Sequence, residues 1–86
     1  MDFEFSRFSQ DEINLTHQTI SKNVRRIRES KGIKQLELAL EIDIKSVAFY
    51  SNCENNKYNK HFNVEHLYKI SKVLEVDICE FFKLED

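Results

Sequence analysis

A single glycine, Gly32, and no proline occur among 86 residues. The chain therefore has almost none of the turn-forming residues that a sandwich, a barrel or an array of hairpins needs at each reversal, which argues against an all-β fold. No apolar run approaches the roughly 18 residues of a membrane span. The opening Met1-Asp2-Phe3-Glu4-Phe5 has neither the basic nor the apolar stretch of a secretory leader. A soluble, cytoplasmic protein is expected, with no membrane partner. Two cysteines, Cys53 and Cys79, then read as reduced core thiols rather than a disulfide. What is present is a globular composition, 41% hydrophobic and 33% charged, in a length that suits one domain. So short a chain buries only about 60–65% of the surface its unfolded form exposes, and a compact helical core suits that limit.

A surplus of positive charge is also lacking, since thirteen basic against fifteen acidic residues leave a net −2. On its face that argues against nucleic acid, whose binders usually carry a basic excess. The distribution says otherwise. Residues 19–34 carry +5 and residues 45–62 carry +2, while 1–18, 35–44 and 63–86 carry −3 each. Positive charge is confined to two stretches, and the question is whether the fold brings them to one face.

Ser9 with Glu12 three residues on is a capping-box pattern, so a helical turn is expected near Gln10. Ile20, Val24 and Ile27 form one helical stripe in a longer helix that Gly32 ends, with Ile33 as an apolar anchor. Gln35 to Ile42 is a run of strong helix formers, although Lys34 offers no cap at its start. Asp43 can turn the chain. Ser46 is then a good N-cap for a third short helix reaching about Glu54, its Tyr50 and Cys53 facing inward. Asn55-Asn56 closes that helix, and Lys57 to Phe62 reads as a solvated loop whose Phe62 returns to the core. Asn63 caps a fourth helix bearing Val64, Leu67, Ile70 and Leu74. Asp77 with Glu80 makes a capping box for a last turn with Ile78, Phe81 and Phe82. The expected architecture is all-α, five short helices in a compact domain over residues 17–86, preceded by an extension over 1–16 that holds Phe3, Phe5 and Phe8.

Two short helices joined by a tight turn, over 35–42 and 46–54, are a helix-turn-helix signal. Gln35-Leu36-Glu37-Leu38-Ala39, Ile44, the Ser46 cap and Tyr50-Ser51-Asn52-Cys53-Glu54-Asn55 resemble the phage-repressor and Cro-type (XRE-like) helix-turn-helix family. The residues around Ile20–Arg28 and Asn63–Asp77 resemble its first and fourth helices, so the likeness covers about 20–82. The chain departs from the pattern in having one residue more between Ala39 and Glu54, with Lys45 or a neighbour as the addition. Asp43 and Asn56 also stand where glycine is common.

The resemblance implies a lambda-repressor-like fold and a sequence-specific transcriptional regulator, a small repressor that binds double-stranded DNA. Its recognition helix, about 46–54, would enter the major groove. Carried over by position, Val47, Ala48 and Asn52 face bases. Lys34, Gln35, Ser46, Ser51, Asn55, Lys57 and Lys60 are the phosphate contacts, with Tyr58 and His61 as further candidates. One such helix makes few contacts, so a homodimer on a palindromic site is expected, through the Phe3, Phe5, Phe8 segment or the Phe81-Phe82 end. For Arg25, Arg26 and Arg28 a solvated or ion-paired role is favoured, with Glu29 at i+4 from Arg25.

Other chemistry has no support. His17, His61 and His66 share no metal-ligand spacing with the cysteines, no glycine-rich phosphate loop is present, and the acids sit at ordinary solvating positions. No enzyme, metal, cofactor or small-molecule ligand is expected. The alternative function is an interaction module, adaptor-like or antitoxin-like, that keeps the helix-turn-helix fold but has relaxed or lost DNA binding. The acidic ends and the apolar third helix favour it.

Overall fold

The computed structural model describes residues 7–84. Four α-helices are formed: α1 (Gln10–Ser30), α2 (Gln35–Glu41), α3 (Val47–Asn55) and α4 (Val64–Leu74). Two short 3-10 segments, Lys57–Asn59 and Ile78–Phe82, complete the described residues, among which there is no strand. The fifth helix expected from sequence is thus the 3-10 segment at Ile78–Phe82. Asp77 caps it by accepting from the Cys79 N–H.

The turn expected near Gln10 and the helix expected around Ile20 are one element of 21 residues. Ser9 accepts from the Asp11 and Glu12 N–H groups at its start. The Thr16 and Thr19 hydroxyls donate to the carbonyls four residues back, 2.9 and 3.0 Å away, so no polar group interrupts the run. Gly32 ends the helix at φ 70°. Its N–H bonds to Glu29 O and that of Ile33 to Arg28 O, the pattern of a left-handed C-terminal cap.

The cap missing before α2 is supplied from within the helix, because the Glu37 carboxylate accepts from the Lys34 N–H at 3.2 Å. Between α2 and α3 the chain turns through Asp43, at φ 67°, with Ile42 and Ile44 buried on either side of it. Lys45, the residue named from sequence as the addition, is exposed. Ser46 then accepts from the Phe49 N–H and begins α3. Asn56 ends it in the left-handed conformation. Asn63 caps α4 as expected, and Glu75, at φ 57°, ends that helix at a position where no turn residue marks the sequence.

Ile20, Val24 and Ile27 of α1 meet Leu38 and Ala39 of α2, Tyr50 and Cys53 of α3, Leu67, Ile70 and Leu74 of α4, and Phe62 and Phe81 in one core. Burying side chains of this size stabilises by about 1.5–3 kcal/mol each. Three expected core residues are outside it. Val64 is 76% exposed because it opens α4 before that helix reaches the core, Phe82 is half exposed, and Cys79 is a solvent-facing free thiol. The C-terminal segment is instead held by a buried polar residue of α1. The Asn23 amide donates to Phe81 O at 2.9 Å and to Lys83 O at 2.8 Å. Phe3 and Phe5 lie outside the described residues.

A Cβ built on Gly32 meets nothing within 4 Å, so alanine there is resisted only by the backbone conformation. Gly32→Ala is expected to lower stability in urea by about 1–2 kcal/mol; an unchanged midpoint and slope would show that α1 does not need the left-handed stop.

Candidate nucleic-acid interface

With 3.6 residues per turn, Tyr50, Cys53 and Glu54 share one side of α3, and all three are buried. Val47, Ala48, Ser51, Asn52 and Asn55 occupy the other side, within an arc of about 140°. Each of these five is exposed or half-exposed. The inward side carries an acid where an apolar residue is the usual choice, and this organises the site.

The Glu54 side chain has no solvent exposure. Arg28 of α1 grips it with two nitrogens, Nε to Oε2 and Nη2 to Oε1, both at 2.9 Å. Arg25 Nε donates to Oε1 at 3.0 Å, Gln35 Nε2 of α2 to Oε1 at 3.1 Å, and the Tyr50 hydroxyl to Oε2 at 2.6 Å. Arg28 also donates to Ile33 O at 2.7 Å, which ties in the loop after α1. Burial alone would raise the Glu54 pKa. The hydrogen bonds from Arg28, Tyr50, Gln35 and Arg25 outweigh it and hold the carboxyl down to about 2. Burial and the adjacent carboxylate push the Tyr50 phenol up. The side-chain hydrogen bond to Glu54 is the main cause that raises the Arg28 pKa, against the opposing effect of its burial.

Three helices therefore converge on one carboxylate at the C-terminal half of α3. The ion-paired role expected for the arginines is present, but the partner is Glu54 of α3 rather than Glu29. Arg28 approaches Glu29 only at 3.9 Å. Arg26 points elsewhere and donates to Asn23 Oδ1 at 3.2 Å. The sequence signal was available: Glu54 follows Tyr50 by four and Cys53 by one, on the apolar side of α3, and Arg28 follows Val24 by four on that of α1. Opposite charges on two facing apolar stripes are expected to pair.

Around this anchor the residues singled out from sequence fall into two groups. Val47, Ala48 and Asn52 lie on the outward arc, and the Asn52 amide makes no side-chain hydrogen bond among the described residues. Lys57 and Lys60 are exposed just beyond the C-terminus of α3, and Lys34 is exposed beside Gln35. Because Gln35 reaches Glu54, the start of α2 lies at this same end of α3. Lys45 stands at the opposite end, before the Ser46 cap. The second group is engaged internally. Gln35 is bound to Glu54, the Ser46 hydroxyl caps α3, and the Asn55 amide donates to Ser51 O at 2.9 Å and Ser51 Oγ at 3.3 Å while its oxygen accepts from Arg25.

The turn bearing Lys57 and Lys60 is fixed by contacts that the sequence did not suggest. Asn56, Tyr58 and Asn59 are all left-handed there, and Tyr58 is 80% exposed. The His61 ring stacks on His17 of α1, centroids 3.7 Å apart and planes 8° from parallel. Its two nitrogens lie 2.9 Å from Asn56 Oδ1 and 3.2 Å from Asn59 Oδ1. Burial, and then the nearby His61, lower the His17 pKa. Among the described residues no three His, Cys, Asp or Glu side chains gather as a metal site.

A helix-turn-helix family model matches residues 24–81, well over half of the chain. The protein belongs to the Cro and repressor type (XRE) of that family, a class of DNA-binding helix-turn-helix regulators. A search of curated proteins and a search of solved structures each find no match. No helix among the described residues is long and apolar enough to cross a membrane.

The Glu54 cluster makes a linked prediction. Its folded pKa, about 2, lies below the ordinary value of about 4.3, so its contribution is complete above about pH 5 and is lost as pH falls toward 2. Glu54→Gln leaves Arg28 buried without its partner and is expected to lower stability at pH 7 by about 3–5 kcal/mol. Its thermal stability should also fall less than that of the wild type between pH 5 and pH 2. Parallel pH profiles for the two proteins would contradict the assignment.

Proposed function

We propose that the protein is a sequence-specific repressor that binds double-stranded DNA as a homodimer on a palindromic operator, with α3 in the major groove. The observation that carries this reading is the outward arc of α3, whose Val47, Ala48 and Asn52 take no part in the core while lysines stand at both ends of the helix. Asn52 can pair bidentately with adenine, and Val47 and Ala48 can pack on a thymine methyl. An A·T-leaning half-site is expected. Lys57 and Lys60 contact phosphates on one side of the groove, together with Lys34 and the remaining capacity of Gln35, Ser46, Ser51 and Asn55. The dimer sets its half-sites one helical turn, about 34 Å, apart. Residues 1–16 would form an extension before the domain at 17–86, although α1 itself runs on from Gln10.

A second reading is favoured by one feature. The outward arc of α3 bears no charged residue, and the amides of Gln35 and Asn55 are already committed within the fold. A protein-interaction module with relaxed DNA binding would have such a face. Fold alone does not decide between the two.

Salt-dependent binding to random and self-upstream DNA fragments separates them. The regulator reading predicts affinity that falls steeply with salt. Asn52→Ala should cost about 1–3 kcal/mol at particular base positions, whereas Lys57→Ala should weaken every sequence alike and reduce the salt slope by about one. Absence of binding to any fragment at low salt would leave the interaction module.

A further inference from the structure

The first ten residues of α1, Gln10–Thr19, stand outside the core, which begins on this helix at Ile20. Apolar side chains are nevertheless placed there: Ile13 is 43% and Leu15 58% exposed, and beside them Phe82 is 49% and Leu84 78% exposed. Between α1 and the C-terminal segment runs a groove of about 260 Å³ lined by Leu15, Thr16, Thr19, Ile20, Phe82 and Leu84. Both threonine hydroxyls donate to helix carbonyls, which satisfies their polar atoms within the helix and leaves their methyls as apolar lining. Leu15, Phe82 and Leu84 thus bring exposed apolar side chains together around one groove.

The charges beside the patch identify its cover. At 100° per residue, Leu15 and Thr19 share the outer stripe of α1 with Asp11 and Glu12 on the N-terminal side and with Lys22 and Arg26 on the C-terminal side. Asp11, Glu12 and Lys22 are exposed and make no ion pair among the described residues. The stripe thus reads acidic, apolar, basic along its length. Laid antiparallel on a second copy about a two-fold axis between Leu15 and Thr19, it sets Leu15 against the partner's Thr19 and Glu12 against the partner's Lys22. Symmetry repeats each contact. A parallel pairing would instead set acid on acid and base on base.

We propose that this outer stripe of α1, with Phe82 and Leu84 flanking it, is the surface through which two copies of the chain associate. This deepens the homodimer reading above and rests on it. Apolar burial at Leu15 and the groove supplies the affinity. The exposed ion pairs add little energy and set direction and register. The stripe faces away from the core side of α1. The residues that hold α3, Ser21, Arg25 and Arg28, lie on a third side of the same helix, so association leaves α3 uncovered.

Sedimentation equilibrium of the full chain without DNA tests the surface. The wild type should be dimeric. Leu15→Glu, at an exposed position, should keep the helical circular-dichroism spectrum while raising the dimer dissociation constant at least 100-fold, and its melting temperature should fall only to that of the wild type diluted until it is monomeric. Glu12→Lys alone and Lys22→Glu alone should each weaken the dimer, since each sets like charges opposite one another twice. An equimolar mixture of these two variants should regain it as a heterodimer with both pairs complementary. A wild type that stays dimeric with Leu15→Glu, or a mixture no tighter than its components, overturns this surface and leaves the homodimer reading standing. A monomeric wild type overturns both. If Leu15→Glu then also lowers the melting temperature, the groove is covered by the chain's own terminus. DNA binding is measured separately, so its outcome does not enter this test.

Discussion

A carboxylate withdrawn from water must be compensated on every lone pair or it will take up a proton. Glu54 meets that condition with donors from three helices, and the rest of the architecture follows from where those donors must stand. Arg28 and Arg25 require α1 to run past the C-terminal half of α3. Gln35 requires α2 to begin at that same end. Tyr50, one turn earlier on α3, closes the cluster from within the core. The result is a rigid corner from which α3 projects with its opposite side free.

This arrangement also explains how a protein of net charge −2 can serve a polyanionic partner. Much of the positive charge on α1 is not available to a ligand, because Arg25 and Arg28 are committed to Glu54. Among the described residues, cations without an ion pair near α3 include the lysines at 34, 45, 57 and 60, with Lys22 of α1 beside its C-terminal end, and the acids are mainly on the other segments. A small dipolar protein of this kind can orient its basic side toward DNA while keeping non-specific affinity low. On the proposed reading, a matched site and a second copy of the chain supply the rest of the affinity. The His17–His61 stack contributes by fixing the turn that presents Lys57 and Lys60.

Much of the fold could be read from the sequence because local rules and global packing agree. Gly32, Asp43 and Asn56 are each left-handed where a turn was expected, and Ser46 and Asn63 cap the helices they were assigned. The inward-facing Ile20, Val24, Ile27, Tyr50, Cys53 and Leu67 were legible from helical spacing. What escaped was non-local or broke a local rule. Glu75 adopts φ 57° without being a turn residue, and Glu37 caps α2 from inside the helix. The extension of α1 back to Gln10 lacked an apolar stripe on its core side to announce it, because that half of the helix has no core beneath it. The Glu54 cluster joins residues 19–29 positions apart in sequence, and helix-by-helix periodicity assigns charged residues to the solvent side by default. The candidate DNA contacts were legible only through the family resemblance, since no single residue of α3 bears a charge or a long donor on its outer side.

The central claim is that an ionised Glu54, held by Arg28, locks α1, α2 and α3 into the geometry that presents the outer side of α3. A carbon-13 NMR titration of the Glu54 side-chain carboxyl in the intact protein tests it most directly. The account predicts a midpoint near 2, accompanied by loss of the native spectrum as the carboxyl takes up its proton. A midpoint near the ordinary glutamate value of about 4.3, with the native spectrum unchanged through it, would contradict the account.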